Sequence, residues 1–260
     1  MTSDHALPAV STGPTRSIAP LTPTPHPGEV PRLRLGLFGR GRLARAILAE
    51  APAHSFEVVF SLGREDVPDA PVDVAIDASA AEAVPRHLGW ALDARVPLVL
   101  GTTGWSFPEL EKTIDGRIGV LVAPNFSLGV ALLTRFSAVL GRFAALDPLR
   151  DLYLLEKHHA RKADAPSGTA RLLARELAAA CPRAAALPIG VVRAGSEHGS
   201  HTVGLDHPHE VIELHHRARG RELFATGALA AARWLVPRRG LFHFDDFASA
   251  QLDPLFSNRG

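Results

Sequence analysis

Short apolar runs alternate along the first half of the chain with longer segments that have the length of helices. Five such runs cover residues 33–38, 56–61, 72–77, 96–101 and 118–123, and helix-length segments separate most of them. Runs that are largely apolar are typical of strands buried on both faces of a sheet. The alternation therefore predicts an α/β fold built on a doubly wound parallel sheet.

The second half of the chain has a more mixed pattern. Residues 151–156 are strand-like, and residues 167–180 favour a helix in which Leu173 and Leu177 stand one turn apart. The run EVIELHHRA alternates like a strand, so its successive side chains face opposite sides. A helix over 226–236 is expected to return the chain to the first sheet, and GLFHFDDF then completes the fold.

The first thirty-one residues show no periodicity. They are rich in proline, serine and threonine and contain few large apolar side chains. Such a segment cannot offset its ordering entropy by burial, so residues 1–31 are predicted to be a disordered tail. The segment also lacks the basic and apolar regions of a secretory signal.

Composition and charge narrow the class of protein. A chain of 260 residues with 46% hydrophobic content can bury one large core or two modest ones. The formal charge of +1 argues against a nucleic-acid or membrane-surface partner. The apolar stretch 118–141 is interrupted by Pro124, Asn125 and Arg135, which argues against a membrane span. A lone Cys181 fits a reducing cytoplasm, and an inert thiol is expected.

A glycine-rich turn follows the first apolar run. Gly39, Gly41 and Ala44 fit the form G-x-G-x-x-A between a strand and a helix, which is the dinucleotide-binding arrangement of Rossmann-like folds. The helix start would receive the pyrophosphate on its free amides. Many glycine-rich turns open helices for purely structural reasons, and it is the strand–turn–helix context that favours a nucleotide here.

The loop after the second run bears on the choice of cofactor. It contains Ser61, Leu62, Gly63 and Arg64, with no carboxylate at the strand end. An acid there would bind the ribose hydroxyls of NAD, whereas an arginine accommodates the extra phosphate of NADP. Arg64 therefore favours NADPH as the preferred donor with NADH possible, and the alternative is that Arg64 is only a solvated loop residue.

Two more loops are expected at the same sheet edge. The segment GTTGW follows the fourth run and APNFSLG follows the fifth. Ligands of open α/β sheets lie beyond the carboxyl ends of the strands. Gly101, Thr102, Thr103 and Asn125 are therefore predicted to form the rim of the cofactor cleft.

The segment EKHHARKADAPSGTA, residues 156–170, concentrates the titratable groups of the chain. It places Glu156, His158 and Lys162 before the start of a helix. Ser167 and Thr169 can accept hydrogen bonds from the free amides of that helix start. A lysine and free helix amides suit the carboxylates of a small acidic substrate. A histidine that titrates near neutral pH suits an acid catalyst.

A metal site is the alternative use of these histidines. The pair His158–His159 would supply half of one, but the segment has no H-x-x-x-H or H-E-x-x-H spacing and the chain has one cysteine. We therefore expect no metal. Six more histidines occur downstream, and their strand alternation keeps them from converging, although His201 is a candidate for the mouth of the substrate site. They are His198, His201, His207, His209, His215 and His216.

The same segment resembles the signature of the 4-hydroxy-tetrahydrodipicolinate reductases, also called dihydrodipicolinate reductases, of lysine biosynthesis. GTTGW, APNFSLGV, RAGSEHGSHTV and FATGALAAARWL follow in the order and approximate spacing of that family. The likeness covers residues 32 to about 246. The chain departs from the family pattern in a glycine-rich turn that is one residue shorter, in IDAS at 76–79, and in Gly63, where the family often has an acid.

The resemblance implies a role for each matching position. His158 and Lys162 match the catalytic residues, and His159, Ser167, Gly168 and Thr169 match residues at the substrate. The cofactor would be held by Gly39, Arg40, Gly41, Arg42, Leu43, Arg64, Gly101, Thr102, Thr103, Ala123, Pro124, Asn125 and Phe126.

The resemblance also implies a domain plan and an assembly. Residues 32–126 with 226–260 would form the dinucleotide-binding domain, and residues 127–225 a mixed α/β domain that binds a small dicarboxylate and builds a homotetramer. Two alternatives stay open: a related two-domain amino-acid dehydrogenase, and an inactive nucleotide-sensing regulator. The second predicts the loss of His158, Lys162 or Thr169, and all three are present.

Overall fold

The computed structural model describes residues 31–63, 66 and 68–256. Ten strands lie in this part of the chain: β1 (Leu33–Phe38), β2 (Phe56–Leu62), β3 (Val74–Asp77), β4 (Leu98–Leu100), β5 (Gly119–Val122), β6 (Asp151–His158), β7 (Ile189–Arg193), β8 (Ser200–His207), β9 (Glu210–Arg217) and β10 (Gly240–His243). Seven α-helices accompany them: α1 (Arg42–Glu50), α2 (Val84–Ala94), α3 (Leu110–Ile114), α4 (Leu128–Ala145), α5 (Gly168–Ala180), α6 (Glu222–Leu235) and α7 (Phe244–Leu252).

The first sheet has six strands in the order β10-β5-β4-β3-β1-β2, and every pairing in it is parallel. One face packs on α1, α6 and α7 around Leu35, Leu37 and Phe247, and the other face packs on α2 and α3 around Phe38 and Leu88. The predicted doubly wound parallel sheet is confirmed, and each of its five predicted strands lies within two residues of its expected bounds.

The second sheet is mixed, with the order β7-β6-β8-β9. Strand β6 pairs parallel with β7 and antiparallel with β8, and it runs two residues beyond its predicted end, to His158. Helices α4 and α5 cover one face, where Leu154, Leu173 and Val203 are fully buried. The other face is open and exposes Leu155, Val192 and Val211. Cys181 is a free, buried thiol beside this core.

Helix α4 has the length and apolar composition of a membrane span, a test that core helices of soluble proteins also pass. In this structure it packs against α5, β9 and α7. Its Arg135 forms ion pairs with Asp245 and Asp253. The apolar composition of α4 is therefore explained by its packing against these elements.

Helix α6 lies directly under the loop that follows β5. A Cβ atom at Gly227 would lie 1.8 Å from the backbone oxygen of Phe126, so only glycine permits this approach. We expect Gly227→Ala to lower the free energy of unfolding by about 1–3 kcal/mol, because backbone must move to admit the methyl group. Urea unfolding followed by circular dichroism measures the change.

Gly89 of α2 is the matched control, because a Cβ atom there meets nothing within 4 Å. Gly89→Ala should raise the free energy of unfolding by about 0.5–1 kcal/mol, as alanine favours a helix over glycine. Equal effects of the two substitutions would contradict the assigned contact.

Candidate active site

The glycine-rich turn presents an uncapped helix start. Gly39 has φ of +116°, and a Cβ atom there would lie 2.3 Å from the backbone oxygen of Ala78. Helix α1 begins at Arg42 after Gly41, with no side-chain cap and no acidic residue in its first turn. Its first amides are thus free to bind an anion, which fits the pyrophosphate of a dinucleotide.

Asp77, at the end of β3, ties together the loops that follow β3 and β4. Its side chain is fully buried, and its Oδ1 accepts hydrogen bonds from Ser79 N (2.9 Å), Ser79 Oγ (2.6 Å) and Thr102 Oγ1 (2.7 Å). His87 Nδ1 lies 2.6 Å from its Oδ2. Burial alone would raise the pKa of Asp77, but the hydrogen bonds of His87, Ser79 and Thr102 outweigh it and lower the pKa.

The predicted rim of the cofactor cleft comes together at this edge. A Cβ atom at Gly101 would lie 2.6 Å from the ring of Phe126, so the loops after β4 and β5 are in contact. Thr102 is buried and Thr103 exposed, while Ala123 is buried and Pro124 exposed. Arg40 lies within the glycine turn, and Leu43 lies in the first turn of α1. Arg64 lies outside the described residues.

Asn125 connects this rim to the second sheet. Its Oδ1 accepts a hydrogen bond from Ser127 N (2.9 Å), which orients the amide. Its Nδ2 donates to Thr169 Oγ1 at 3.4 Å, in the first turn of α5. The predicted cofactor rim and the predicted substrate turn therefore meet directly.

The second sheet contributes a buried carboxylate, Glu156, whose side chain has no exposed surface. Alternation along β6 places Leu152, Leu154, Glu156 and His158 on the face covered by helices. Arg193 Nη2 donates to Glu156 Oε1 at 2.5 Å, and Ser167 N donates to the same oxygen at 3.0 Å. Burial would raise the pKa of Glu156, but these partners lower it, so a charged carboxylate is stabilised.

His158 lies beside this ion pair. Its Nδ1 is 3.6 Å from Glu156 Oε2 and 3.5 Å from Arg193 Nη1. Burial lowers the pKa of His158, Glu156 opposes that shift, and Lys162 and Arg193 add to it. In the absence of an anionic ligand, the balance favours the neutral imidazole.

His201 completes the group from the neighbouring strand, where it pairs with Glu156 in the sheet register. Its Nε2 lies 3.2 Å from Ser167 Oγ and 3.6 Å from Glu156 Oε2. Burial, with the nearby His158, lowers the pKa of His201 to about 4. His201 is therefore adjacent to His158 and to the N-cap of α5.

Lys162 and His159 lie in the loop that follows β6 and are less buried than His158 and His201. Lys162 Nζ forms an ion pair with Asp164 Oδ1 at 2.6 Å, and the lysine hydrogen bond lowers the pKa of Asp164. Partial burial and then the charges of Arg161 and Arg42 lower the pKa of His159. The loop therefore faces the start of α1 across the cleft.

Helix α5 begins where the sequence predicts. Ser167 is its N-cap, and the side-chain oxygen accepts a hydrogen bond from Ala170 N at 3.1 Å. Gly168 is exposed, and a Cβ atom there would meet nothing within 4 Å. Apart from Ala170 N, the first amides of α5 have no partner within the helix, and a helix start of this kind can bind a carboxylate.

Glu156, His158 and His201 have the donor types of a metal site, since one ligand atom from each lies within 4.8 Å of the others. This grouping differs from the His158–His159 pair considered from the sequence. Arg193 and the amide of Ser167 already bind the Glu156 carboxylate. The arginine binds Oε1, whereas Oε2 lies 3.6 Å from both His158 Nδ1 and His201 Nε2.

Sequence reasoning missed several residues of the site. Asp77 and Arg193 lie in the segments IDAS and RAGSEHGSHTV but were given no role, and His87 gave no motif. Arg221, before α6, lies close enough to Arg42 for their charges to interact. A further signal was the period of two in β6, which puts Glu156 on the same face as His158.

Comparison with known proteins identifies two matching family models. "Dihydrodipicolinate reductase, N-terminus" matches residues 34–126, and "Dihydrodipicolinate reductase, C-terminus" matches residues 129–247. A 4-hydroxy-tetrahydrodipicolinate reductase of Gluconacetobacter diazotrophicus is 34% identical, over 82% of this chain and 96% of that one. One of Bdellovibrio bacteriovorus is 36% identical, over 83% and 96%.

A solved structure shares the fold. It is the dipicolinate-bound dihydrodipicolinate reductase of Paenisporosarcina sp. TG-14, with a TM-score of 0.69 at 22% identity. The alignment covers 81% of this chain and 97% of the other. Both sheets of the present chain thus have counterparts in one known architecture.

The lowered pKa of His201 predicts a pH-dependent stability. In the unfolded chain a histidine takes up a proton near pH 6.5, whereas folded His201 does so only near pH 4. Stability is therefore complete above pH 6.5 and falls as the pH drops towards 4. His201→Gln should recover about 1–2 kcal/mol of the loss between pH 7.5 and 5.

Urea unfolding at the two pH values measures this difference. His198→Gln is the control, because that side chain is exposed. An unchanged slope in His201→Gln would show that its burial does not resist protonation.

Proposed function

The chain belongs to the dihydrodipicolinate reductase family, and from this premise we propose how its residues carry out the reaction. The protein is an NAD(P)H-dependent oxidoreductase of lysine biosynthesis that reduces 4-hydroxy-tetrahydrodipicolinate to tetrahydrodipicolinate with loss of water. The hydrogen bond between Asn125 and Thr169 carries the assignment, because it joins the cofactor rim to the substrate turn. When bound, the reduced nicotinamide supplies the hydride.

The cofactor is held by the described residues of the glycine turn and the rim. The free amides at the start of α1 bind the pyrophosphate, and Arg40 and Arg42 add positive charge. The loops after β4 and β5, fixed by Asp77, hold the nicotinamide side. NADPH is the preferred donor and NADH is also accepted.

The substrate carboxylates bind at the start of α5 and in the loop before it. Amides of Gly168 and Thr169 receive one carboxylate beside Ser167, and Lys162 and His159 receive the other. Lys162 is available because its partner, Asp164, is 45% exposed and can be exchanged for a ligand anion. The site therefore selects a small dicarboxylate.

His158 is the acid that donates a proton to the ring. A dianionic substrate beside the imidazole favours its charged form, so substrate binding raises a pKa that burial lowers in the free protein. Lys162 and His158 also oppose the negative charge that develops on the conjugated ring. In this scheme His158 supplies the proton and Lys162 the neutralising charge, so no metal is required.

The oligomer is a homotetramer built through the open face of the second sheet. Leu155 and Val192 are 46% and 48% exposed there, and Val211 is 60% exposed. Exposed apolar patches on a flat sheet face mark protein interfaces.

Residues 127–225 thus supply both substrate site and subunit contacts, while residues 32–126 and 226–260 bind the cofactor. The buried thiol and small net charge support a cytoplasmic enzyme without nucleic-acid or membrane partners.

His158→Gln should lower kcat by about 10²–10⁴-fold, because glutamine cannot donate the proton. Steady-state assays with freshly generated substrate measure kcat, and nucleotide fluorescence titration should show an unchanged Kd for NADPH. His209→Gln, on the exposed turn between β8 and β9, is the control. Turnover near the wild-type rate would remove His158 from the role of acid.

Leu155→Glu should dissociate the tetramer, because four buried carboxylates without partners would face one another in the assembly. Light scattering coupled to size-exclusion chromatography gives the mass, and circular dichroism checks folding. Leu255→Glu is the control, because Leu255 is 72% exposed and lies outside the second sheet. A folded tetramer with Glu at 155 would place the interface elsewhere.

A further inference from the structure

The loop between β7 and β8, residues 194–199, continues the backbone pairing of the second sheet past the end of β6. Ala194 N donates a hydrogen bond to His158 O at 3.0 Å, and His159 N donates to Glu197 O at 2.8 Å. The carbonyl of the candidate acid and the amide that follows it are therefore both held by this segment, which we call the β7–β8 loop.

Gly199, at the end of the β7–β8 loop, packs against the ring of His158. Its φ is +147°, and a Cβ atom there would lie 2.9 Å from His158 Nε2 and 3.1 Å from Cδ2. Its carbonyl accepts a hydrogen bond from Ala218 N at 2.9 Å, which attaches this end of the loop to the residue after β9. The other ring nitrogen, Nδ1, faces Glu156 at 3.6 Å. The imidazole is therefore enclosed between a buried carboxylate and a glycine backbone.

Glu197 attaches the middle of the β7–β8 loop to β9. Its Oε1 accepts a hydrogen bond from Arg217 Nε at 3.1 Å, and its Oε2 lies 3.0 Å from Arg217 Nη2, so the ion pair is bidentate. The Glu197 side chain is only 10% exposed, whereas that of Arg217 is 63% exposed. A carboxylate with so little solvent needs a charged partner. Arg217 therefore fixes Glu197 and, through it, the carbonyl that binds His159 N.

We propose that the β7–β8 loop positions the proton donor. Gly199 fixes the place of the His158 imidazole, and the ion pair between Glu197 and Arg217 fixes the loop. This inference rests on the proposed function, because it takes His158 as the acid. The other three are positioning residues that act through His158. Their effect on the rate follows from geometry, because a reacting group that is misplaced by about 1 Å can slow a reaction about 10²-fold.

Gly199→Ala tests the contact with the ring. The added methyl group would lie closer to His158 Nε2 than van der Waals contact allows, so the imidazole must move. We expect kcat to fall about 10–100-fold, while KM for the substrate and Kd for NADPH change less than about threefold, because the start of α5 and the glycine-rich turn are untouched. Steady-state assays and nucleotide fluorescence titration measure these values, and circular dichroism checks folding.

Gly195→Ala is the matched control in the same loop. Gly195 also has positive φ, at +62°, but a Cβ atom there meets nothing within 4 Å. The control thus tests the cost of a positive-φ alanine in this loop without a contact to the imidazole. Its loss of kcat should be at least about fivefold smaller than that of Gly199→Ala. Equal losses in the two folded variants would overturn the role of Gly199.

A double-mutant cycle tests the ion pair independently, and it applies even where Gly199→Ala does not fold. Glu197→Ala and Arg217→Ala should each lower kcat about 3–10-fold, and the double variant should lower it no further, because each single substitution removes the same constraint. Arg219→Ala, which removes an exposed arginine two residues away, is the control and should change kcat less than about twofold. Additive losses, or no loss in the single variants, would overturn the role of the pair.

The ring signals of His158 provide a measurement that needs no turnover. NMR of the protein with isotope-labelled histidine, with His158→Gln to assign the resonance, reports the surroundings of this imidazole. Gly199→Ala should shift the His158 signals, and Gly195→Ala should leave them in place. Unshifted signals in Gly199→Ala would overturn the inference. Shifted signals, together with a wild-type protein that does not reduce the substrate, would instead refute the proposed function alone.

Discussion

The buried Glu156 carboxylate is the interaction on which the candidate site depends. A charge without solvent is costly unless it is paired and hydrogen-bonded, and Arg193 with the amide of Ser167 meets that need. Because these partners come from β7 and from the start of α5, the Glu156 carboxylate joins two strands of the sheet to the start of that helix. His158 therefore stands on a strand and not on a loop.

Asp77 plays the corresponding part in the first sheet. It too is buried, charged and satisfied by several donors, and it joins the loops after β3 and β4. The two buried acids thus organise the two sides of one cleft, and Asn125 and Thr169 join those sides by a hydrogen bond. Preorganised polar groups of this kind need little rearrangement when a ligand arrives.

Much of this architecture could be predicted locally. Parallel strands buried on both faces are apolar runs, and a helix start with a serine cap has a short signature, so β1 to β5 and the start of α5 were found in the sequence. The residues at which strands end do not follow from the local sequence, because they depend on the neighbouring strands with which they pair. Strand β6 extends to His158 since β7 continues beside it to Arg193.

The sequence by itself determined the doubly wound sheet, the glycine turn and the cluster of His158, Lys162 and Ser167, because each follows from neighbours in the chain. Only the tertiary structure decided what stands beside them. Arg193 and His201 reach Glu156 through strand register, and Glu197 reaches the backbone of His159 through the folding back of a loop. These contacts join residues whose spacing carries no period, so no local pattern encodes them.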